Sequence, residues 1–229
     1  MRNIVFILSF LFLTQQAFSD GKMIGFVGIS GSGKSTLARE LGVLMEADVF
    51  SETEEEQWPH WIRSVHPYSE FSSYVTFRAL RVDALWKAKE KVDSGEVAIV
   101  DSYYDKITSY YLGRPGMEWL ISSSDPYFPV VKMLTELDTE NLPNVDLLVF
   151  LDVDISTWMR FLEKRGRIRD QIDGFQQSYQ MYRSYVNEAA ERLQSEKNIP
   201  VVIFKPEFGD PAEEARRLYK LLQEVEGVN

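Results

Sequence analysis

The chain has 229 residues, 45% of them apolar and 26% charged, a globular balance that allows one sizeable domain and excludes a fibre or a disordered chain. Its 25 basic and 35 acidic side chains give a formal net charge of −10, so a nucleic-acid polymer is an unfavourable partner and a small phosphorylated ligand a better one. With no cysteine, disulfides, thiolate metal sites and thiol nucleophiles are excluded together.

The first stretch, MRNIVFILSFLFLTQQAFSD, has a basic residue at Arg2, an apolar run from Ile4 to Leu13, and small residues at Ala17 and Ser19. That is the outline of a secretory signal, and the run is too short for a stable membrane span. The alternative is a true start at Met23, with residues 1–21 a mis-started or poorly ordered extension. Either way the fold is expected to begin near Lys22, with residues 22–229 forming one domain.

The first strand, MIGFVG (23–28), runs into GISGSGKST. Residues Gly28 to Ser35 fit G-x-x-x-x-G-K-[ST], the loop whose backbone N–H groups surround a nucleotide's phosphates. In that loop Gly28, Gly31, Ser32 and Gly33 form the cradle and Gly31 and Gly33 allow close backbone approach. Lys34 reaches the β- and γ-phosphates, Ser35 meets a magnesium ion, and Thr36 completes the set expected to bind the donor. A helix over 34–45 follows directly, so its N-terminal N–H groups and positive dipole end face the phosphates. A consumer of ATP needs a cytosol-like supply of it, which favours a cytoplasmic chain over an exported one cleaved after Ser19.

Short β-branched runs then alternate with helical stretches, the pattern of βαβ units around a parallel sheet. A second strand, ADVFS (47–51), leads into the acidic and aromatic stretch FSETEEEQWPHW. Apolar residues Phe71, Tyr74, Val75, Phe77, Leu80, Ala84, Leu85 and Ala88 recur at helical spacing over 70–93, and Gly95 ends the run. The third strand is VAIVD (97–101), and residues 122–138 read as a helix capped by Ser124 or Asp125 with Pro126 at its start. The fourth strand, VDLLVFLDV (145–153), is apolar enough to be buried on both faces. Helices over 156–164 and 175–197, a strand IPVVIF (199–204) and a helix over 211–225 capped by Asp210 complete the series. His60 and His66 show no ligand spacing.

Between the helices at 156–164 and 175–197 lies EKRGRIRDQ, where Lys164, Arg165, Arg167 and Arg169 stand around a glycine in an otherwise acidic chain. Cations over a transferred phosphoryl group stabilise its developing charge, and a lid that closes on the donor supplies them while excluding water. The plain alternative is a solvated charge run.

The segment VDLLVFLDVDISTWMRFLEKRGR, with the phosphate loop and the strand ending at Asp101, resembles the P-loop nucleoside and nucleotide kinases, specifically the deoxynucleoside kinase and thymidylate kinase group. The likeness spans most of residues 23–200. It implies an α/β three-layer fold with a five-stranded parallel sheet flanked by helices, an arginine-rich lid with Arg165, Arg167 and Arg169 in catalytic roles, and magnesium-bound ATP as donor. It also implies an acceptor site at the ends of the second and third strands and the long helix.

Deoxynucleoside kinases carry a glutamate after the second strand that takes the acceptor's 5′-hydroxyl proton, and a tryptophan shortly beyond. Glu52 fits that role best, ahead of Glu54, Glu55 and Glu56, and Trp58 stands at nearly the right spacing, with Trp61 as a second aromatic. Asp101 would hold the magnesium through its water shell, and Tyr103 follows it on the acceptor side. Where both kinase groups carry an arginine this chain has Ser102; Arg78, Arg81 or Arg114 could replace it, and Arg81 lies where thymidylate kinases hold an acceptor-binding arginine. The expected reaction is phosphorylation of a nucleoside, first a deoxynucleoside, or of a monophosphate such as thymidylate. A kinase of a non-nucleotide metabolite and an ATP-binding module without turnover are the alternatives. Relatives often pair, so a homodimer is an open expectation.

Overall fold

The computed structural model describes residues 21–53, 57–63, 69–166 and 178–226. Its elements run β1 (Met23–Gly28), α1 (Lys34–Met45), β2 (Asp48–Phe50), α2 (His60–Arg63), α3 (Glu70–Asp93), β3 (Ala98–Val100), α4 (Phe128–Asn141), β4 (Leu147–Leu151), α5 (Ile155–Arg165), α6 (Tyr179–Lys197), β5 (Val201–Phe204) and α7 (Pro211–Glu226). Two short 3₁₀ turns, Tyr104–Lys106 and Thr108–Tyr110, follow β3. The signal-like segment before Gly21 lies outside the described residues.

All five strands are parallel, in the order β2-β3-β1-β4-β5. Alternate residues of the central strands feed two separate cores, as the period of two requires. Met23, Val27, Leu148 and Phe150 pack with Leu85 and Ala88 of α3 and Val186, Ala189 and Leu193 of α6. Ile24, Phe26, Leu147, Val149 and Leu151 pack with Leu37 and Leu41 of α1 and Leu218 and Leu222 of α7. The result is three layers, with the strand ends and their following loops gathered along one edge. Among the described residues no helix is long and apolar enough to cross a membrane.

The fourth helix differs from its expected span at both ends: it begins at Phe128 rather than at Pro126, and it runs on past 138 to Asn141. Residues 122–127 instead form turns, with Asp125 Oδ1 accepting from the Tyr127 N–H. Proline disfavours helix in the residue before it, so Pro126 closes the turn, and Pro129 occupies the first helical turn where its missing N–H does no harm.

Candidate active site

The phosphate loop joins β1 to α1. Gly31 and Gly33 both adopt left-handed backbone, with φ of 80° and 90°, a conformation that favours glycine. They differ in surroundings. A Cβ at Gly33 would stand 3.6 Å from Phe161, whereas one at Gly31 would come within 2.4 Å of Leu162 Cδ2. Close approach at Gly31 is therefore to helix α5 as well as to any ligand. That helix is capped by Asp154, whose carboxylate accepts from the N–H groups of Ser156 and Thr157. It grips the loop further through Trp158 Nε1, which donates to the Ser30 carbonyl at 2.8 Å. Arg165, in its last turn, brings Nη1 to 3.5 Å from Ser30 Oγ. Arg167 and Arg169, the other two expected lid arginines, lie outside the described residues.

Lys34 is buried, and its Nζ donates to the carbonyls of Gly28 and Ile29 at 3.1 Å each. Burial pulls its pKa down to about 8, against the pull of Glu52 and Asp101 and with the help of Arg165. An ammonium held by loop carbonyls and short of water is primed for an anion, because phosphate oxygens replace both partners at once. Ser32 Oγ is buried without a partner in the same loop, and Ser35 is half-buried and Thr36 exposed in the first turn of α1.

Asp101 directly follows β3, and its N–H donates to the Phe50 carbonyl of β2 at 3.2 Å. It is 1% exposed. One carboxylate oxygen accepts from the Glu52 N–H at 2.9 Å, and the other is buried with no partner. An orphaned carboxylate oxygen on a residue within electrostatic reach of the loop's Lys34 suits a small hard cation that keeps most of its waters. No group of three or more metal-ligating carboxylates or histidines exists among the described residues, so water and phosphate oxygens would complete the shell.

Glu52 is reached from α3. Arg81 Nη1 lies 3.2 Å from Glu52 Oε1, while its Nε and Nη2 form a fork on Asp105 at 2.8 and 2.9 Å. Burial opposes the guanidinium charge, but Asp105 and Glu52 outweigh it and hold its pKa well above the ordinary value. Trp58 is fixed by a 2.7 Å bond from Nε1 to the Thr53 carbonyl and meets Phe77 edge-on at 4.8 Å, giving the same end of α3 an aromatic wall.

Several expected residues stand elsewhere. Tyr103 is a core residue: 1% exposed, it donates from its hydroxyl to the Pro143 carbonyl and accepts from the Val145 N–H. Arg78 is engaged by both oxygens of Asp138 at 2.6 Å, which joins α3 to α4. Arg114 is likewise paired with Glu188 of α6. Of the three arginines offered for the place of Ser102, Arg81 is the one that contacts Glu52. Glu54, Glu55, Glu56 and His66 lie outside the described residues, and His60 is exposed at the start of α2.

Two site residues were not anticipated. Tyr104 donates its hydroxyl proton to the Gly28 carbonyl at 2.5 Å and lays its ring 5.1 Å from Lys34 Nζ, and Tyr182 of α6 lies within its electrostatic reach. Asp105 fixes Arg81. The available signal was their place within five residues of a parallel strand's carboxyl end, where ligands of such sheets bind.

No protein-family model and no curated protein sequence matches the chain. Solved structures do. It resembles thymidylate kinase from Candida albicans at a TM-score of 0.58 and 19% identity, over 90% of this chain and 93% of that one. It resembles deoxyadenosine kinase from M. mycoides, solved with dCMP and dCDP, at 0.62 and 15% over 88% and 99%, and the same kinase with dATP at 0.59 and 20% over 88% and 98%. The five-stranded parallel sheet flanked by helices is thus the fold of the P-loop kinases. Within them it is shared with the deoxynucleoside and thymidylate kinase group.

Proposed function

We propose that the chain is an ATP- and magnesium-dependent phosphotransferase that phosphorylates a nucleoside, first a deoxynucleoside, or a nucleoside monophosphate such as thymidylate. The observation that carries this is the bond from the Glu52 N–H to Asp101 Oδ1. It links the candidate base to the carboxylate beside the phosphate loop, so donor and acceptor machinery share one edge of the sheet. The structural relatives handle deoxynucleotides, which supports the acceptor class.

In this reading the loop N–H groups and Lys34 hold the β- and γ-phosphates, and Glu52 accepts a hydrogen bond from the acceptor's hydroxyl. The hydroxyl oxygen attacks the γ-phosphorus in line. An O–P bond forms, the bond to the β–γ bridging oxygen breaks, and the hydroxyl proton passes to Glu52. Lys34 and Arg165, with Arg167 and Arg169, offset the charge that spreads over the transferred group and the departing diphosphate. Ser35 and Asp101 would hold magnesium, which neutralises charge on the β- and γ-oxygens when bound. For a monophosphate acceptor no base is needed, and Glu52 would only position.

Arg81, in contact with Glu52, supplies a cation beside the candidate base in a chain that has Ser102 rather than an arginine, which favours turnover over mere nucleotide binding. The test is ATP consumption by the full chain with magnesium, offered deoxynucleosides, ribonucleosides and their monophosphates, with Lys34→Ala as control. One of these acceptors drives turnover, and Lys34→Ala abolishes it. ATP binding with no response to any acceptor would remove the kinase reading and leave an ATP-binding module.

A further inference from the structure

Helix α5 meets the phosphate loop along one stripe. Trp158, Leu162 and Arg165 stand at i, i+4 and i+7, a spacing that puts them on one face of a helix. All three reach the same two residues of the loop. A Cβ at Gly31 would stand 2.4 Å from Leu162 Cδ2, 3.3 Å from Trp158 Nε1 and 3.4 Å from Arg165 Nη2. Ser30 is approached on two atoms by the two ends of the stripe: its carbonyl accepts from Trp158 Nε1 at 2.8 Å, and its Oγ lies 3.5 Å from Arg165 Nη1. Glu163 and Lys164, off the stripe, are exposed.

The indole is itself fixed. It is 2% exposed, its ring lies 5.1 Å from that of Tyr179, and the Tyr179 hydroxyl donates to the Val153 carbonyl at 2.7 Å, just ahead of α5. Ile29 of the loop belongs to the same apolar cluster. A donor enclosed on every side is held in one geometry, so it sets the register between helix and loop. The consequence falls on Arg165, two turns further on, whose charge bears on Lys34 and helps to lower its pKa. Two cations kept within reach of each other repel until an anion joins them.

Resting on the phosphotransferase reading above, we propose that Trp158 is a positioning residue that presets Arg165 over the phosphate loop, so that the donor's terminal phosphates meet both Lys34 and Arg165 before any acceptor is bound. Trp158 touches no reacting atom. Its bond turns the Ser30 carbonyl toward the helix, where a phosphate oxygen does not meet it. When the phosphates draw Lys34 from the carbonyls of Gly28 and Ile29, the bond to Ser30 remains and keeps the loop and α5 in register. A guanidinium already in place needs no reorganisation when the donor arrives.

Equilibrium binding of AMP, ADP and ATP with magnesium to the full chain, without acceptor, tests this in the native chain, Trp158→Phe, Arg165→Ala and the double variant. Trp158→Phe keeps an aromatic ring and removes the N–H. It is expected to weaken ATP about tenfold, ADP less, and AMP by less than about twofold, the loss following the terminal phosphates that a charged donor serves. Arg165→Ala should show the same order. In its background Trp158→Phe should cost ATP less than about a further twofold, because nothing is left to position. A merely structural Trp158 would weaken all three nucleotides alike and add its full loss to that of Arg165→Ala; either result overturns the proposal. Unchanged ATP affinity in Arg165→Ala overturns it too, and that comparison decides if Trp158→Phe does not fold. A native chain that binds no ATP removes the phosphotransferase reading and the proposal together, whereas uniform losses with turnover intact remove the proposal alone.

Discussion

The Tyr104 hydroxyl and the Lys34 ammonium donate to the same atom, the Gly28 carbonyl oxygen, at 2.5 and 3.1 Å. The tyrosine ring also faces the ammonium, so the lysine is held between loop carbonyls and an electron-rich surface. Removing the hydroxyl alone leaves the ring in place, whereas removing the ring opens Lys34 to water. Tyr104→Phe is therefore expected to lower kcat about threefold to tenfold, a hydrogen bond's worth of about 1 kcal/mol. Tyr104→Ala should lose about a hundredfold, with a raised KM for ATP. Steady-state kinetics on the acceptor that gives turnover, with the fold checked by circular dichroism, measures both; equal losses in the two variants would remove the ring from the argument.

The phosphate loop and the five strands were legible because their signals are local. A fixed spacing marks the loop, and an apolar run such as LLVFL at 147–151, buried throughout, can only be an interior strand. The acceptor side was legible in part. Glu52 and Asp101 sit at strand ends, and the structure connects them, but Arg81 meets its partners across 24 and 29 residues of chain, and no local pattern encodes such pairs. The exchange of Tyr103 for Tyr104 has a specific cause. The strand's alternation stops at Val100, and the 3₁₀ turn that begins at Tyr104 rotates successive side chains by about 120°, so the period of two no longer says which tyrosine faces the site.

Arg78 and Asp138 provide a contrast with Arg81. Both oxygens of a carboxylate with 5% of its side chain exposed are bound to a guanidinium that is 23% exposed. Cutting one partner of such a pair strands the other's charge, and the partial exposure of the arginine moderates the loss. Arg78→Ala is expected to destabilise the fold by about 2 kcal/mol in urea unfolding and to leave the acceptor KM within about threefold of wild type. A large KM effect without loss of stability would return Arg78 to the substrate.

Lys106 is 1% exposed and donates from Nζ to the Leu142 carbonyl. Burial lowers its pKa from 10.5 to about 8, with Lys197 adding to the effect and Glu140 and Asp138 opposing it. The unfolded chain therefore binds more protons than the folded one between pH 8 and 10.5, and stability gains from this residue as pH rises through that window. The ceiling is about 3 kcal/mol. Lys106→Met leaves the Leu142 carbonyl unpaired and so lowers stability at pH 7, but it should also flatten the rise. Chemical unfolding of both chains at pH 7.5, 8.5 and 9.5 reads the slope difference, in which the contribution of tyrosines that ionise in the unfolded chain cancels. An unchanged slope would mean that Lys106 is not charged-but-penalised in the native state.

Gly31 faces two demands that a pair of substitutions can separate. Its φ of 80° disfavours any side chain, and a Cβ there would meet Leu162 Cδ2 at 2.4 Å. The conformational part costs about 1 kcal/mol, and it persists whatever stands at position 162. The steric part depends on Leu162, which can shift only by loosening α5 from the loop that Trp158 and Arg165 also hold. Gly31→Ala is expected to lose about 2 to 3 kcal/mol, and Leu162→Ala about 2 to 3 kcal/mol from its own cavity. In the double variant the new methyl occupies part of that cavity, so the combined loss should fall short of the sum by about 1 kcal/mol or more. Additive losses would mean that the loop, and not its contact with α5, absorbs the added carbon.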